Sequence, residues 1–201
     1  VPHNPVPLDE ATATLLNGSY AAYNAGVAGA LNFLVSQMAI SQEDADEEIA
    51  KRTISFTAGS SNAVVIFDED LTDLTGINPA IVSMRQATED DLMVLTSRTF
   101  IGTLANEADP TSINGVAIPL ADNWVLTPEE QTAIENAMTA YNATIEALAT
   151  QYDLGFVDMN AKLTELRETG FPQADGSLVT NVFATGGGFS LDGVHPAPRG
   201  Y

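Results

Sequence analysis

The stretch TPEEQTAIENAMTAYNATIEALATQYDLGFVDM, residues 127–159, decides how this chain is read. Thr127 has the hydroxyl of a helix cap, Pro128 suits the first helical turn, and Glu129 and Glu130 match the positive end of a helix dipole. Ile134, Met138, Tyr141, Ile145 and Leu148 then recur at helical spacing, so one apolar face runs through about Gln151. The link Asp153-Leu154-Gly155 is short, and Phe156-Val157-Asp158-Met159 reads as a buried strand. A capped helix feeding a strand through a tight link is the pattern of α/β layering. It predicts an α/β fold with a parallel sheet and the 128–151 helix packed on one face.

Working outward, residues 160–168 read as a further short helix. Upstream, Leu16, Tyr20, Tyr23, Val27, Leu31 and Leu34 draw one apolar stripe on a helix that begins near Asp9, after an extended start marked by Pro2, Pro5 and Pro7. Gly18, Gly26 and Gly29 weaken that helix or admit a neighbouring backbone. Ser41 with Asp44 has capping-box spacing and predicts a helix over 42–52; Thr88 with Asp91 has the same spacing and predicts a helix to about Arg98. Ala63 to Phe67 is a compact, β-branched run and predicts a strand, while Asn78-Pro79 opens a turn or short helix. Two strands are too few for a complete sheet.

Charge and composition bound the function. Of 201 residues, 27 are acidic and 7 basic, for a net charge of −20. Such a surface repels nucleic acid and anionic membrane, and suits neutral or cationic partners. With no cysteine, thiol catalysis, disulfides and zinc–thiolate sites are excluded. No run approaches the roughly 18 apolar residues of a membrane span. The chain begins at Val1 without methionine and stops at Tyr201 beside a motif, so it reads as a piece of a longer protein.

That motif is Phe189-Ser190-Leu191-Asp192-Gly193-Val194-His195-Pro196, with Arg199-Gly200-Tyr201 after it. His195 is one of only two histidines, the other being His3, which sits among prolines and is given no role. Gly193 lets the backbone fold so that Asp192 reaches one ring nitrogen of His195, leaving the other as a base. Pro196 and Pro198 stiffen the loop. A bare Asp-x-x-His is often an incidental surface turn; the longer string is more specific.

The block resembles the last motif of the GDSL/SGNH hydrolases, lipase and acylhydrolase relatives included, where it supplies the catalytic aspartate and histidine. Shorter stretches are similar to bacterial lipoprotein-type members: Val1-Pro2-His3-Asn4-Pro5, Phe67-Asp68-Glu69-Asp70-Leu71, Arg85-Gln86-Ala87, Pro119-Leu120-Ala121-Asp122 and the unit from Val125 to Asn160. The resemblance implies a three-layer α/β/α, flavodoxin-like sandwich with a parallel sheet. Residues 1–201 would be the C-terminal portion of one such domain, with a largely helical insertion over about 35–120. It implies a serine ester hydrolase whose Ser-His-Asp triad takes Asp192 and His195 from this chain, with no cofactor and no metal. The substrate would be a small-molecule, lipid or carbohydrate ester, and the protein would be exported from a bacterium, as a periplasmic, secreted or lipoprotein form. The family's Gly-Asp-Ser and Gly-x-Asn-Asp blocks are missing from these 201 residues. The nucleophile is therefore expected outside this chain, the chain alone is expected to be inactive, and its open apolar edge is expected to drive self-association. The alternative is a non-catalytic binding or scaffold protein that retains the fold.

Other groups have simpler accounts. Asp68, Asp70 and Asp73 lack the glycine register of a calcium loop and read as a solvated loop. Glu43 to Glu48 reads as a solvated helix start. Gly59-Ser60-Ser61 lacks the strand-turn-helix setting of a nucleophile. Gly186-Gly187-Gly188 reads as a flexible approach to the motif, and Trp124 as a core or rim anchor more readily than a substrate platform. Asn17-Gly18-Ser19 and Asn142-Ala143-Thr144 match glycosylation acceptors.

Overall fold

The computed structural model describes residues 6–200; His3, the extended start at Pro2 and Pro5, and Tyr201 lie outside them. The chain divides into two compact units, Val1–Glu135 and Asn136–Tyr201.

In the first unit, β1 (Val6–Leu8) leads into α1 (Glu10–Ser36), capped by the Asp9 carboxylate on the Thr12 amide at 2.7 Å. The apolar stripe falls where the spacing puts it: Leu16, Tyr20, Tyr23, Val27 and Leu31 are buried. Among the described residues no backbone approaches the helix glycines, and Gly26 meets the Ile81 side chain. The polar groups on this face are satisfied as well. Tyr20 donates to the Val116 carbonyl and Tyr23 to that of Met84, each at 2.6 Å. Asn17 and Asn24, seven residues apart, each accept from and donate to one backbone position, Phe56 and Ile54 respectively. Two helix amides thereby hold the extended segment 54–56 as a neighbouring strand does. Next, α2 (Gln42–Arg52) carries the full Ser41–Asp44 capping box.

Strand β2 (Gly59–Asn62) pairs with β1, and β3 (Val65–Phe67) pairs with β4 (Met84–Gln86); both pairs are antiparallel. The other edge of β3 exchanges bonds with Leu120, whose amide donates to Val65 at 2.8 Å and whose carbonyl accepts from Phe67 at 3.0 Å. Strand β5 (Leu92–Met93) pairs with β6 (Val125–Leu126), again antiparallel.

Two buried arginines organise this unit. Arg52 reaches Glu48, the Thr72 and Val82 carbonyls and the Tyr23 hydroxyl. Arg85 lies between two buried carboxylates, with Nε on Asp68 and both terminal nitrogens on Asp91 at 2.7 and 2.8 Å. This explains why Thr88 and Asp91 do not start the expected helix. Asp91 is drawn onto Arg85 and back onto the Thr88 amide, so the segment closes as a turn and continues into β5 and a 3-10 turn over 95–99.

Helix α3 (Pro128–Gln151) runs from the first unit into the second. Its capping box is in place, the Thr127 amide donating to Glu130 at 2.8 Å. In the second unit α4 (Met159–Glu168) is capped by Asp158, and β7 (Phe171–Pro172) pairs antiparallel with β8 (Leu178–Val179).

The fold is thus mixed, helices with short antiparallel strand pairs; no parallel sheet is shown among the described residues, and three local expectations are corrected. Among the described residues every ladder is a two-stranded antiparallel pair, and parallel contacts are isolated bridges such as Ile66–Leu120. Residues 156–158 form no strand and Met159 already opens α4; Phe156 and Val157 are exposed, by 39% and 67%. Gly155, Phe156 and Val157 make no backbone hydrogen bond among the described residues, because no strand lies beside them. The stretch 35–120 is largely irregular and short-stranded, not helical, because its buried charges and turn-forming aspartates fix loops. The α3 stripe, expected to pack under a sheet, is exposed at Ile134, Met138, Tyr141, Ile145 and Leu148.

Two outcomes follow. Replacing Arg85 by methionine strands Asp68 and Asp91 as buried charges and is expected to cost about 3–5 kcal/mol in denaturant unfolding. Asp91 feels burial, which raises its pKa, but its bonds to Arg85 and Thr88 outweigh this and hold it low. Its stabilisation is therefore full above the unfolded value of about 4 and is lost as pH falls below that. Separately, the exposed stripe predicts concentration-dependent sedimentation of the 201-residue chain, relieved by Tyr141→Glu with Ile145→Glu. A monodisperse monomer at every concentration contradicts this.

Candidate active site

The second unit places Asp192 and His195 on one exposed loop, and the local backbone explains why. After β8, Thr180 exchanges bonds with the glycine run: its amide donates to Gly186 at 2.7 Å and its carbonyl accepts from Gly188 at 3.1 Å. The chain then doubles back. The Ala197 amide donates to Gly188 at 3.0 Å and the Ser190 amide to His195 at 2.7 Å, flanking a Phe189–Pro196 bridge. Pro196 fits there because the residues on either side of it carry the bonds, so its missing N–H is not needed. The turn closes through Gly193, whose amide donates to the Ser190 carbonyl at 3.0 Å and whose φ is +73°. That angle is cheap only for glycine.

The glycine run is not the flexible approach the sequence suggests. A Cβ on Gly186 would stand 2.5 Å from the Thr180 carbonyl oxygen, one on Gly188 2.7 Å from the same atom, and one on Gly200 against the Gly188 carbonyl. These glycines let three backbone segments touch. Leu166 from α4 and Val179 from β8 are buried in this unit, and the Leu166 side chain lies beside Gly188.

On this frame the Asp192 carboxylate collects four donors. Its Oδ1 accepts from the amides of Val194 and His195, both at 2.9 Å, and from the Ser190 hydroxyl at 2.6 Å. Its Oδ2 lies 2.7 Å from His195 Nδ1. The Ser190 hydroxyl, the Val194 amide and then the ring and amide of His195 hold the carboxyl well below the usual aspartate range. An ionised carboxylate only accepts, so Nδ1 carries the hydrogen. Neutral His195 therefore presents Nε2 as a lone pair, with no partner among the described residues. The His195 side chain is 75% exposed and that of Asp192 51%. The pair can take a proton from a group brought to Nε2 and stabilise the resulting cation.

The other candidates separate from this pair. Ser60 and Ser61 lie on β2, a strand edge with no helix after it. Ser190 Oγ donates to Asp192 Oδ1, the carboxylate oxygen that does not meet the ring. Asp68 is buried on Arg85, Asp73 caps its own turn through Thr75, and Trp124 stacks on Phe100 with ring centres 4.5 Å apart. Asn17 is engaged with Phe56, so its amide is structural. Sequence reading missed one grouping: carboxylate oxygens of Glu69, Asp122 and Glu130 lie within 4.8 Å of one another. Spacing gives no signal for it, and Glu130 is already engaged by the Thr127 cap. Ser190 was also missed as a partner of Asp192; the signal available was a hydroxyl two residues before the acid.

Gly186→Ala is expected to lower unfolding stability by about 1–3 kcal/mol, since backbone must shift to admit the methyl group. Gly176→Ala, at an open turn with positive φ, is the control for strain without contact. Equal losses in the two variants would remove the close-packing argument.

No protein-family model, curated protein or solved structure matches this chain.

Proposed function

We propose that this chain carries the acid–base half of a serine ester hydrolase of the GDSL/SGNH type. The observation that carries the reading is the 2.7 Å contact between Asp192 Oδ2 and His195 Nδ1 on a loop that leaves Nε2 open. In this mechanism Nε2 takes the proton of a serine hydroxyl as its oxygen attacks the ester carbonyl. Asp192 holds the ring and stabilises the imidazolium. The alcohol leaves with that proton, and His195 next activates a water that releases the carboxylic acid from the acyl-enzyme. The serine belongs to a Gly-Asp-Ser segment, which these 201 residues do not contain. The substrate is a neutral lipid or carbohydrate ester, in keeping with a chain of net charge −20. The corresponding architecture is a three-layer α/β/α sandwich; the exposed α3 stripe and the unpaired Phe156-Val157 run are surfaces that a parallel sheet covers. The proposal extends to export from a bacterium, in a periplasmic, secreted or lipoprotein form, on the resemblance alone.

A second reading, a binding or scaffold protein, is favoured by one observation, the absence of a Gly-Asp-Ser block here. The two part on a single assay. In protein made from the complete reading frame, His195→Ala is expected to lower kcat/KM for p-nitrophenyl esters by about 10³-fold or more, and Asp192→Ala by a smaller factor. The 201-residue chain alone is expected to show no hydrolysis above background. A His195→Ala variant as active as the parent removes the assignment.

A further inference from the structure

We propose that Ser190 is a positioning residue of the Asp192–His195 pair, fixing the carboxylate so that one oxygen is reserved for the imidazole; this rests on the ester-hydrolase reading above. Asp192 belongs to a device the chain uses repeatedly. At Asp73, Asp109 and Asp175 one carboxylate oxygen accepts both the amide and the hydroxyl of the Thr or Ser two residues on, at 2.9 and 2.6 Å. At Asp192 the residue two on is Val194, which gives its amide but has no hydroxyl. The hydroxyl arrives from two residues before, Ser190, at the same 2.6 Å and on the same oxygen, Oδ1.

The substitution has a geometric consequence. Oδ1 is filled by Ser190 Oγ and two amides, so Oδ2 is left to the ring. A terminal carboxylate torsion is otherwise broad. Ser190 is itself held by backbone at both ends, its amide on the His195 carbonyl and its carbonyl under the Gly193 amide. The loop therefore keeps its shape without the hydroxyl, and the carboxylate, still under the Val194 and His195 amides, is released from its shortest Oδ1 contact. When His195 becomes a cation in the transition state, a fixed carboxylate needs no reorientation. A released one does. The loss belongs in kcat and not in KM. Arg199 reaches Asp175 and the Ser177 hydroxyl, and among the described residues it makes no ion pair with Asp192.

The test uses protein from the complete reading frame and p-nitrophenyl butyrate. Ser190→Ala is expected to lower kcat about tenfold with KM unchanged, and Ser190→Thr, which keeps the hydroxyl, to recover most of it. In an Asp192→Ala background Ser190→Ala is expected to cost nothing further, since Ser190 acts only through Asp192. An equal loss in both backgrounds, or no loss in either, overturns the proposal while leaving the hydrolase reading intact. Nitrogen-15 histidine spectra, assigned with His195→Ala, give a readout that needs no activity. The parent shows His195 as the Nδ1–H form, and Ser190→Ala shifts population toward Nε2–H. If hydrolysis is absent altogether the functional reading fails, and an unchanged tautomer in Ser190→Ala then overturns the positioning role as well.

Discussion

A chain with 27 carboxylates and 7 cationic side chains must satisfy its acids mostly without salt bridges, and this constraint shapes both units. Where a carboxylate is buried, the scarce cation goes with it: Arg85 serves Asp68 and Asp91 together. Elsewhere the backbone supplies the donors. Asp9 and Asp158 cap helices, Asp44 accepts the Ser41 amide in a capping box, and Asp73, Asp109 and Asp175 close turns. Asp192 is the variant of that theme in which the second oxygen is turned onto an imidazole. The candidate site is thus a small change to a structural habit of the chain.

The helices were legible because their causes are local. Asp9, Ser41 and Thr127 supply caps within three residues of the amides they satisfy, and the α1 stripe is a matter of spacing. What failed depends on distant partners. Thr88 and Asp91 carry a sound helix signal, yet Arg85 is a stronger claimant for Asp91 than a helix amide, and no window of sequence shows where Arg85 points. Phe156-Val157 has strand composition, but a strand is half of a pair, and the described residues hold no other half. The same holds for the α3 stripe, whose pattern is correct and whose cover is missing from the described residues.

The site was legible to the extent that glycine and proline spell out its backbone. Gly193 permits the turn and Pro196 sits where no amide is required. The tight packing of Gly186, Gly188 and Gly200 was not legible, since a glycine run reads as freedom until its neighbours are known. Ser190 was hidden for a similar reason: in the turns at Asp73, Asp109 and Asp175 the hydroxyl follows the acid by two residues, and here it precedes the acid by two.

The central claim is that His195 Nε2 serves as the base for a serine nucleophile. Labelling with a fluorophosphonate, in protein from the complete reading frame, tests it at that atom. The account predicts modification of the serine of a Gly-Asp-Ser segment, slowed about 10³-fold by His195→Ala. Labelling that is unaffected by His195→Ala, or that falls on Ser60, Ser61 or Ser190, contradicts it.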